Sequence, residues 1–517
     1  NSEGDPLFLL SRRFGQARYL LYYFADLGAQ SLLVEPTYFD RDYLAEFSAF
    51  YSTSAKGYSN CCQRIHYFST KVDRALFRRA LGGSAKAIKR LQENYLGFVV
   101  RRPIPAAPLG RTVVRWYPEH SPHTPRVTYP SRDYKCHIAG LTLSVKGLAW
   151  QQQDTGVGAC ATIALWTMLH SSALDEHHAI PTTADITRYA HRTASLGQRI
   201  FPSTGLTLYQ LCEAVKEAGL APVVSQGDLD LGEHAGFSRD RFSSIAASLI
   251  RSGYPILLAG KLEGTGHHAV CAVGFREASP PIPKAGRLEL QDGTTEYLYI
   301  HDDNLGPNVR FRIETVKAGL GEDYVQLVAS TPKPQHGNTP ILPENPTTKY
   351  PVFIPTQILA AVHNDMRTSP DDLYKVGLNT SQFFLAAFNK LMTSKNPIGL
   401  SLSVQLLQRH RYIDEELGKM LASNPTLLSK VRLNLYEKMP RLSFHIGLFR
   451  MGWGSTPVLD VLYDTTDSNS HLSVFGYVAY QQAFGLVADL LTDKGFLHLG
   501  IGIDAFEDTK KARRKKT

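Results

Sequence analysis

Between residues 254 and 301 the sequence carries three short, almost wholly apolar runs: Tyr254–Gly260, Ala269–Phe275 and Tyr297–His301. Runs of this length bounded by turn residues fit strands buried on both faces. Gly264-Thr265-Gly266 turns the chain between the first two, and a connection containing Pro280, Pro281 and Pro283 reads as a long hairpin loop before the third. His267 and His268 open the second strand; Asp302 and Asp303 close the third. If these two strands pair antiparallel with their far ends matched, Phe275 faces Thr295 and His268 lies beside Asp302. Directly opposed residues sit within ~5 Å, close enough for side chains to bond. Strand alternation sends His267 and His268 to opposite faces, and a one-residue slip would bring in Asp303 instead of Asp302.

About a hundred residues earlier comes a second constraint. Gln151-Gln152-Gln153-Asp154 leads into a turn marked by Gly156 and Gly158, then Cys160. From there Ala161, Ala164, Leu165, Met168 and Leu169 recur at the spacing of one helix face. Cys160 is therefore expected at a helix N-terminus, where unpaired N–H groups and the helix dipole favour a thiolate. A thiolate is what nucleophilic catalysis needs. A free cysteine is also commonly a small packed residue, and Cys160 alone does not separate the two.

The order of a helix-capping Cys, a strand-starting His and a strand-ending Asp resembles the papain-like cysteine peptidases, in particular the branch related to bacterial double-glycine leader peptidases. The matching stretches are Gln153 to Cys160, Gly253-Tyr254-Pro255, Gly266-His267-His268-Ala269-Val270 and His301-Asp302-Asp303, within about residues 141–312. The resemblance implies an α+β core in which a helix bearing the Cys packs on an antiparallel sheet bearing the His and Asp. It implies Cys160 as nucleophile, His268 as general base, Asp302 as its orienter and Gln153 as an oxyanion donor, with His267, Asp303 and Gln151 as alternatives. His268 is preferred because it directly precedes Ala269, and Gln153 lies slightly farther from Cys160 than the family places it. Gln151 shares a face with Gln153 in an extended segment, while Gln152 points away. The implied activity is hydrolysis of a peptide or protein amide without cofactor. The same triad could serve an acyl transferase or deamidase, and an inactive copy of the fold a binding or scaffold protein. Over its length the chain also resembles a larger uncharacterised bacterial family, through Cys62–Ser69, Tyr95–Val99 and Cys160–Trp166. A bacterial, cytoplasmic origin follows from that.

Length and punctuation suggest how the rest is organised. At 517 residues the chain has room for roughly three domains. The segment 333–346 holds Pro334, Pro340, Pro343 and Pro346, a density that continues neither a helix nor a central strand. The expected division is an α/β domain over 1–130, the peptidase-like domain over 131–332, this linker, an α+β domain over 347–510 and a basic tail over 511–517. The last domain is expected to open with helices at Pro355–Val362, Ser381–Leu391 and Ile413–Leu421, and to turn strand-like after Leu442.

Several functions are not supported. The net charge of +9 owes six charges to Lys510, Lys511, Arg513, Arg514, Lys515 and Lys516, with no interleaved aromatics, so it does not point to nucleic acid. There is no membrane-length apolar run and no leader pattern at the N-terminus. Six scattered cysteines form no disulfide framework and fit a reducing compartment. His267 or His268 with Cys271 and His301 lacks the paired short spacing of structural zinc, and no metal is expected there. Asp460, Asp464, Asp467 and His471 read as solvated strand-edge and turn groups. The expected partners are a peptide or protein substrate and a regulatory protein.

Overall fold

A computed structural model describes residues 4–117, 126–175, 178–192, 200–232, 235–264, 266–276, 282–317, 323–329, 352–392, 397–438, 443–454, 456–466, 474–494 and 501–506. The chain mixes helix (36%) and strand (34%), in keeping with an α+β class. It forms two compact units, one made of residues 1–237, 253–276 and 296–363, the other of 238–252, 277–295 and 364–517. Among the described residues no helix is long and apolar enough to cross a membrane.

The first unit contains an antiparallel sheet of β1 (Ser31–Tyr38), β2 (Cys62–Phe68), β3 (Tyr95–Arg101) and β4 (Leu109–Val114), in that order. A hairpin of β5 (Arg132–Ile138) and β6 (Leu141–Gly147) follows. The larger sheet holds β7 (Ala221–Gln226), β8 (Ile256–Leu262), β9 (Gly266–Arg276), β10 (Tyr297–Asp302), β11 (Gly306–Lys317), β12 (Asp323–Ala329) and β13 (Val352–Val362). Its pairings run from β8 through β9, β10, β11 and β12 to β13, and β13 pairs back with β8, so the sheet closes on itself. Beyond the closure β13 continues along β7.

β13 corrects an expectation, since Pro355–Val362 reads as a helix in sequence and is extended here. Pro355 has no N–H to donate, and the ladder accommodates it at a register shift where Gly260 pairs with Pro355 and Ala259 with Gln357. The segment 333–346 lies outside the described residues, as does the tail 511–517, but the chain leaves the sheet at Ala329 and rejoins it at Val352 beside the same strand. The expected cut between residues 332 and 347 therefore does not separate two folded bodies. Nor does the cut near 130. Thr112 and Trp150 exchange backbone hydrogen bonds of 2.7 and 2.9 Å across it.

A buried charge network binds those two stretches together. Helix α1 (Arg41–Ala49), capped by Asp40, points Glu46 inward. Arg102, at the end of β3, meets Glu46 at 2.8 Å and Asp154 at 3.4 Å, and donates to the carbonyls of Ala107 and Gln152. Glu46 also accepts from Gln151 and Thr183. Burial pushes Glu46 up to about 7, against the pull of the Arg102 guanidinium, while Asp154 pushes it further up. A buried charge is tolerable only when paired and hydrogen-bonded.

Helix α2 (Cys160–Leu169) packs on β8, β9, β10 and β13. The sequence predicts an apolar stripe. In fact every residue from Ala161 to Leu169 is buried, as befits a helix enclosed on all sides. Helix α3 (Leu208–Glu217) starts with a capping box formed by Thr207 and Gln210.

The second unit builds a six-stranded sheet: the short strand Leu288–Leu290, then β14 (Leu400–Gln408), β15 (His445–Trp453), β16 (Thr456–Asp464), β17 (Val474–Ala479) and β18 (Ile501–Asp504). Its helices include α4 (Arg239–Arg251), α5 (Pro370–Leu391) and α6 (Gln482–Asp493); Phe388 of α5 stacks on Phe484 of α6. Asp460 is not a solvated edge group. It is fully buried, takes two hydrogen bonds from Arg450, and accepts from the hydroxyls of Tyr412 and Tyr480. Asp464 accepts from Thr466, whereas Asp467 and His471 lie outside the described residues.

Arg102→Met strands two buried carboxylates and is expected to cost about 3–5 kcal/mol, the usual penalty for breaking a buried pair. Urea unfolding of the variant against the parent chain checks this, and an unchanged midpoint would show that the network contributes no net stability.

Candidate functional site

The turn before α2 is held by one carboxylate. Oδ1 of Asp154 accepts from the backbone N–H of Gly156 at 2.7 Å, Val157 at 2.6 Å and Gly158 at 3.2 Å, and Asp154 N–H donates to the Gly158 carbonyl. Both glycines are needed for want of room. A Cβ on Gly156 would lie 2.6 Å from the Phe50 ring, and one on Gly158 would lie 2.9 Å from Ile163. The turn delivers Cys160 to the first position of the helix, half-exposed, while the residues around it are buried.

β9 brings up the imidazole. His267 is exposed and His268 buried, as alternation requires, with His268 opposite Gly260 of β8. The pairing of β9 with β10 differs from the expected register. Cys271 pairs with His301 and Phe275 with Leu298, and a bulge lies between Ala272 and Gly274. Thr295 precedes the strand, so matching apparent strand ends set the pairing too short. At the mouth of the sheet the offset is two residues, and an even offset keeps each side chain on its expected face.

The turn after β10 then carries both acids back toward the ring. His268 Nε2 lies 3.5 Å from Asp302 Oδ1 and 3.5 Å from Asp303 Oδ1. Asp302 Oδ1 also accepts from the backbone N–H of Asn304 at 2.7 Å, and Trp150 donates its indole N–H to the Asp302 carbonyl. Neither carboxylate oxygen of Asp303 has a hydrogen-bond partner outside its own turn, although the residue is 3% exposed. The structure thus brings Cys160, His268, Asp302 and Asp303 into one group, and does not choose between the two acids by distance.

The electrostatics follow from burial among opposite charges. Burial disfavours the His268 cation, but the Asp302 carboxylate, the nearby Cys160 side chain and the charge of Asp303 outweigh it and raise the ring to about 11. Burial raises Asp303 to about 7; His268 pulls it down and Asp302 pushes it up. Both groups have folded values above their ordinary ones. Their contribution to stability is therefore complete at low pH and lost as the pH rises, for Asp303 between about 4 and 7 and for His268 between about 6.5 and 11.

The three glutamines separate cleanly. Gln151 is buried on Glu46, and Gln152 is buried with its side-chain oxygen accepting from Leu109 N–H. Only Gln153 turns to the His268 side, where its Nε2 donates to Asn304 Oδ1 at 3.0 Å. Asn304 Nδ2 in turn lies 3.5 Å from His268 Nε2. Asn304 links the two groups and escaped the sequence reading, although it stands directly after the acid pair in the same turn. Arg102 and Glu46, which brace the Gln151–Asp154 segment, gave no sequence signal of that role.

The remaining candidates are structural. Cys271 is buried, and burial raises its thiol. His301 accepts from Asn308 N–H at Nδ1 and sits 3.0 Å from the Leu148 carbonyl at Nε2; burial lowers it to about 4. His268, Asp302 and Asp303 form a group whose ligating atoms lie within 4.8 Å of one another, a different set from the His–Cys–His combination weighed in sequence. No protein-family model matches the chain, and no curated protein or solved structure matches it.

Nuclear magnetic resonance of ring-labelled histidine, with a chelator present, is expected to show His268 doubly protonated up to pH 9. Asp302→Asn removes the main group favouring that cation and should move the titration down by a unit or more. A ring that titrates near 6.5 in the parent chain would contradict the charge balance described.

Proposed function

We propose that the chain is a cysteine peptidase or amidohydrolase with a papain-like core, acting on a peptide or protein amide. The observation that carries this reading is the placement of Cys160 at the start of α2, near a buried His268 whose Nε2 faces Asp302. The closed antiparallel sheet bearing His268 and Asp302, with the Cys160 helix packed on it, is the architecture such a core calls for.

In the proposed reaction the Cys160 thiolate attacks the scissile carbonyl carbon and a C–S bond forms. The oxyanion receives the Cys160 backbone N–H and a side-chain N–H of Gln153. One Gln153 proton already goes to Asn304, and the amide has a second to give. The His268 ring passes its proton to the leaving nitrogen as the C–N bond breaks. Water then attacks the thioester carbon while His268 takes its proton, the C–S bond breaks, the Cys160 thiolate is restored and the carboxylic acid is released. One oxyanion donor is worth roughly 100–1000-fold in rate. Asp302 stabilises the imidazolium and fixes its orientation throughout.

The six cysteines are all free thiols, which supports a cytoplasmic setting. Acyl transfer or deamidation would use the same groups with a different acceptor, and product analysis separates them: new peptide termini against amine incorporation or ammonia release.

Alkylation of the six cysteines near pH 6, read by peptide mass spectrometry, is expected to label Cys160 first, and His268→Ala should slow it at least tenfold. Cys160→Ala should leave the fold intact and abolish turnover of any substrate found. Labelling of Cys160 no faster than that of half-buried Cys61 would defeat the enzyme reading in favour of a binding protein.

A further inference from the structure

We infer that His268, Asp302 and Asp303 form a binding site for a divalent transition-metal ion of the zinc class. Three observations point to it. Nε2 stands 3.5 Å from an oxygen of each acid. Charge-assisted hydrogen bonds close to about 2.7–2.9 Å, so both contacts are longer than such bonds. They instead approach the ligand-to-ligand edge, roughly 3.4 Å, of a tetrahedron whose bonds are ~2.0–2.1 Å.

The second observation is Asp303 itself. It is 3% exposed, faces the ring, and neither of its oxygens has a hydrogen-bond partner outside its own turn. A buried carboxylate so sparsely held is costly, and a triad needs only one acid. A cation between the three groups would give this carboxylate the ligand bond it lacks. Third, the other acid is already braced, because the Asn304 N–H on Asp302 Oδ1 orients that ligand as outer partners do in metal sites. One imidazole nitrogen and two carboxylates suit Zn2+, and Zn2+ binds such sets more tightly than Mn2+.

Binding expels the Nε2 proton to solvent and leaves one proton on Nδ1. The cation's charge is shared with two carboxylates, so the thiol loses its imidazolium partner and the ring loses the site at which a proton is taken up. Metal would therefore switch the nucleophile off. This regulatory consequence rests on the cysteine-peptidase reading, whereas the site does not.

The test uses the full chain. Zn2+ is titrated calorimetrically into Cys160→Ala, which removes the competing thiol, and into the same variant carrying Asp303→Asn. The expected result is one saturable Zn2+ lost or weakened at least tenfold by Asp303→Asn, with Asp302→Asn as a second variant and circular dichroism confirming both folds. Zn2+ should also raise the melting temperature of Cys160→Ala and not that of the double variants. Equal Zn2+ binding with and without Asp303 overturns the site. In the chain that retains Cys160, Zn2+ should slow alkylation of that residue tenfold or more and a chelator should restore it; binding without slowing overturns the switch. Slow alkylation of Cys160 in metal-free buffer would instead count against the peptidase reading, and leaves the calorimetric result standing.

Discussion

The segment that leads to Cys160 is braced by a buried cation. Arg102 sits between Glu46 and Asp154 with almost no access to water, and it also ties down the carbonyls of Ala107 and Gln152. Asp154 commits its other oxygen to three consecutive N–H groups of the turn that ends at Cys160. Through these bonds the residue that follows β3 and a residue of α1 set the path of Gln151 to Cys160. The stretch before residue 130 is part of the frame around the site.

The acid side is organised differently. Asp302, Asp303 and Asn304 occupy one short turn, yet their side chains diverge. Asp302 faces the ring and its own turn, Asp303 faces the ring alone, and Asn304 bridges Gln153 and the ring. Two adjacent residues of an ideal strand would face opposite ways. Asp302 holds the last ladder position, paired with Gly306, and Asp303 and Asn304 escape that rule because they lie in the turn beyond it.

Much of this was legible in sequence because the signals were local. A Gly-bounded turn before an apolar helix placed Cys160, alternation put His267 and His268 on opposite faces while the family resemblance favoured His268, and an apolar run ending in acids pointed to Asp302 or Asp303. The even register error left those residues on the correct faces. What was not legible depends on distant partners. Nothing near Glu46 or Arg102 indicates that they meet, Asn304 becomes notable only once Gln153 is seen beside it, and Asp460 looks like a turn carboxylate until Arg450 is found across the ladder. β13 was missed because Pro355 argues against a central strand unless a bulge is there to absorb it.

The closure of the large sheet by β13 has a consequence for synthesis on the ribosome. Until Val362 has emerged, β7 has no neighbour in that sheet, and β8 and β12 each present an open edge to the surroundings. Such edges recruit other strands. The nascent chain therefore carries an unfinished sheet, with Cys160, His268 and Asp302 all already made, across the whole proline-rich stretch. Closure of the sheet that bears His268 waits on a strand that comes after Cys160, His268 and Asp302.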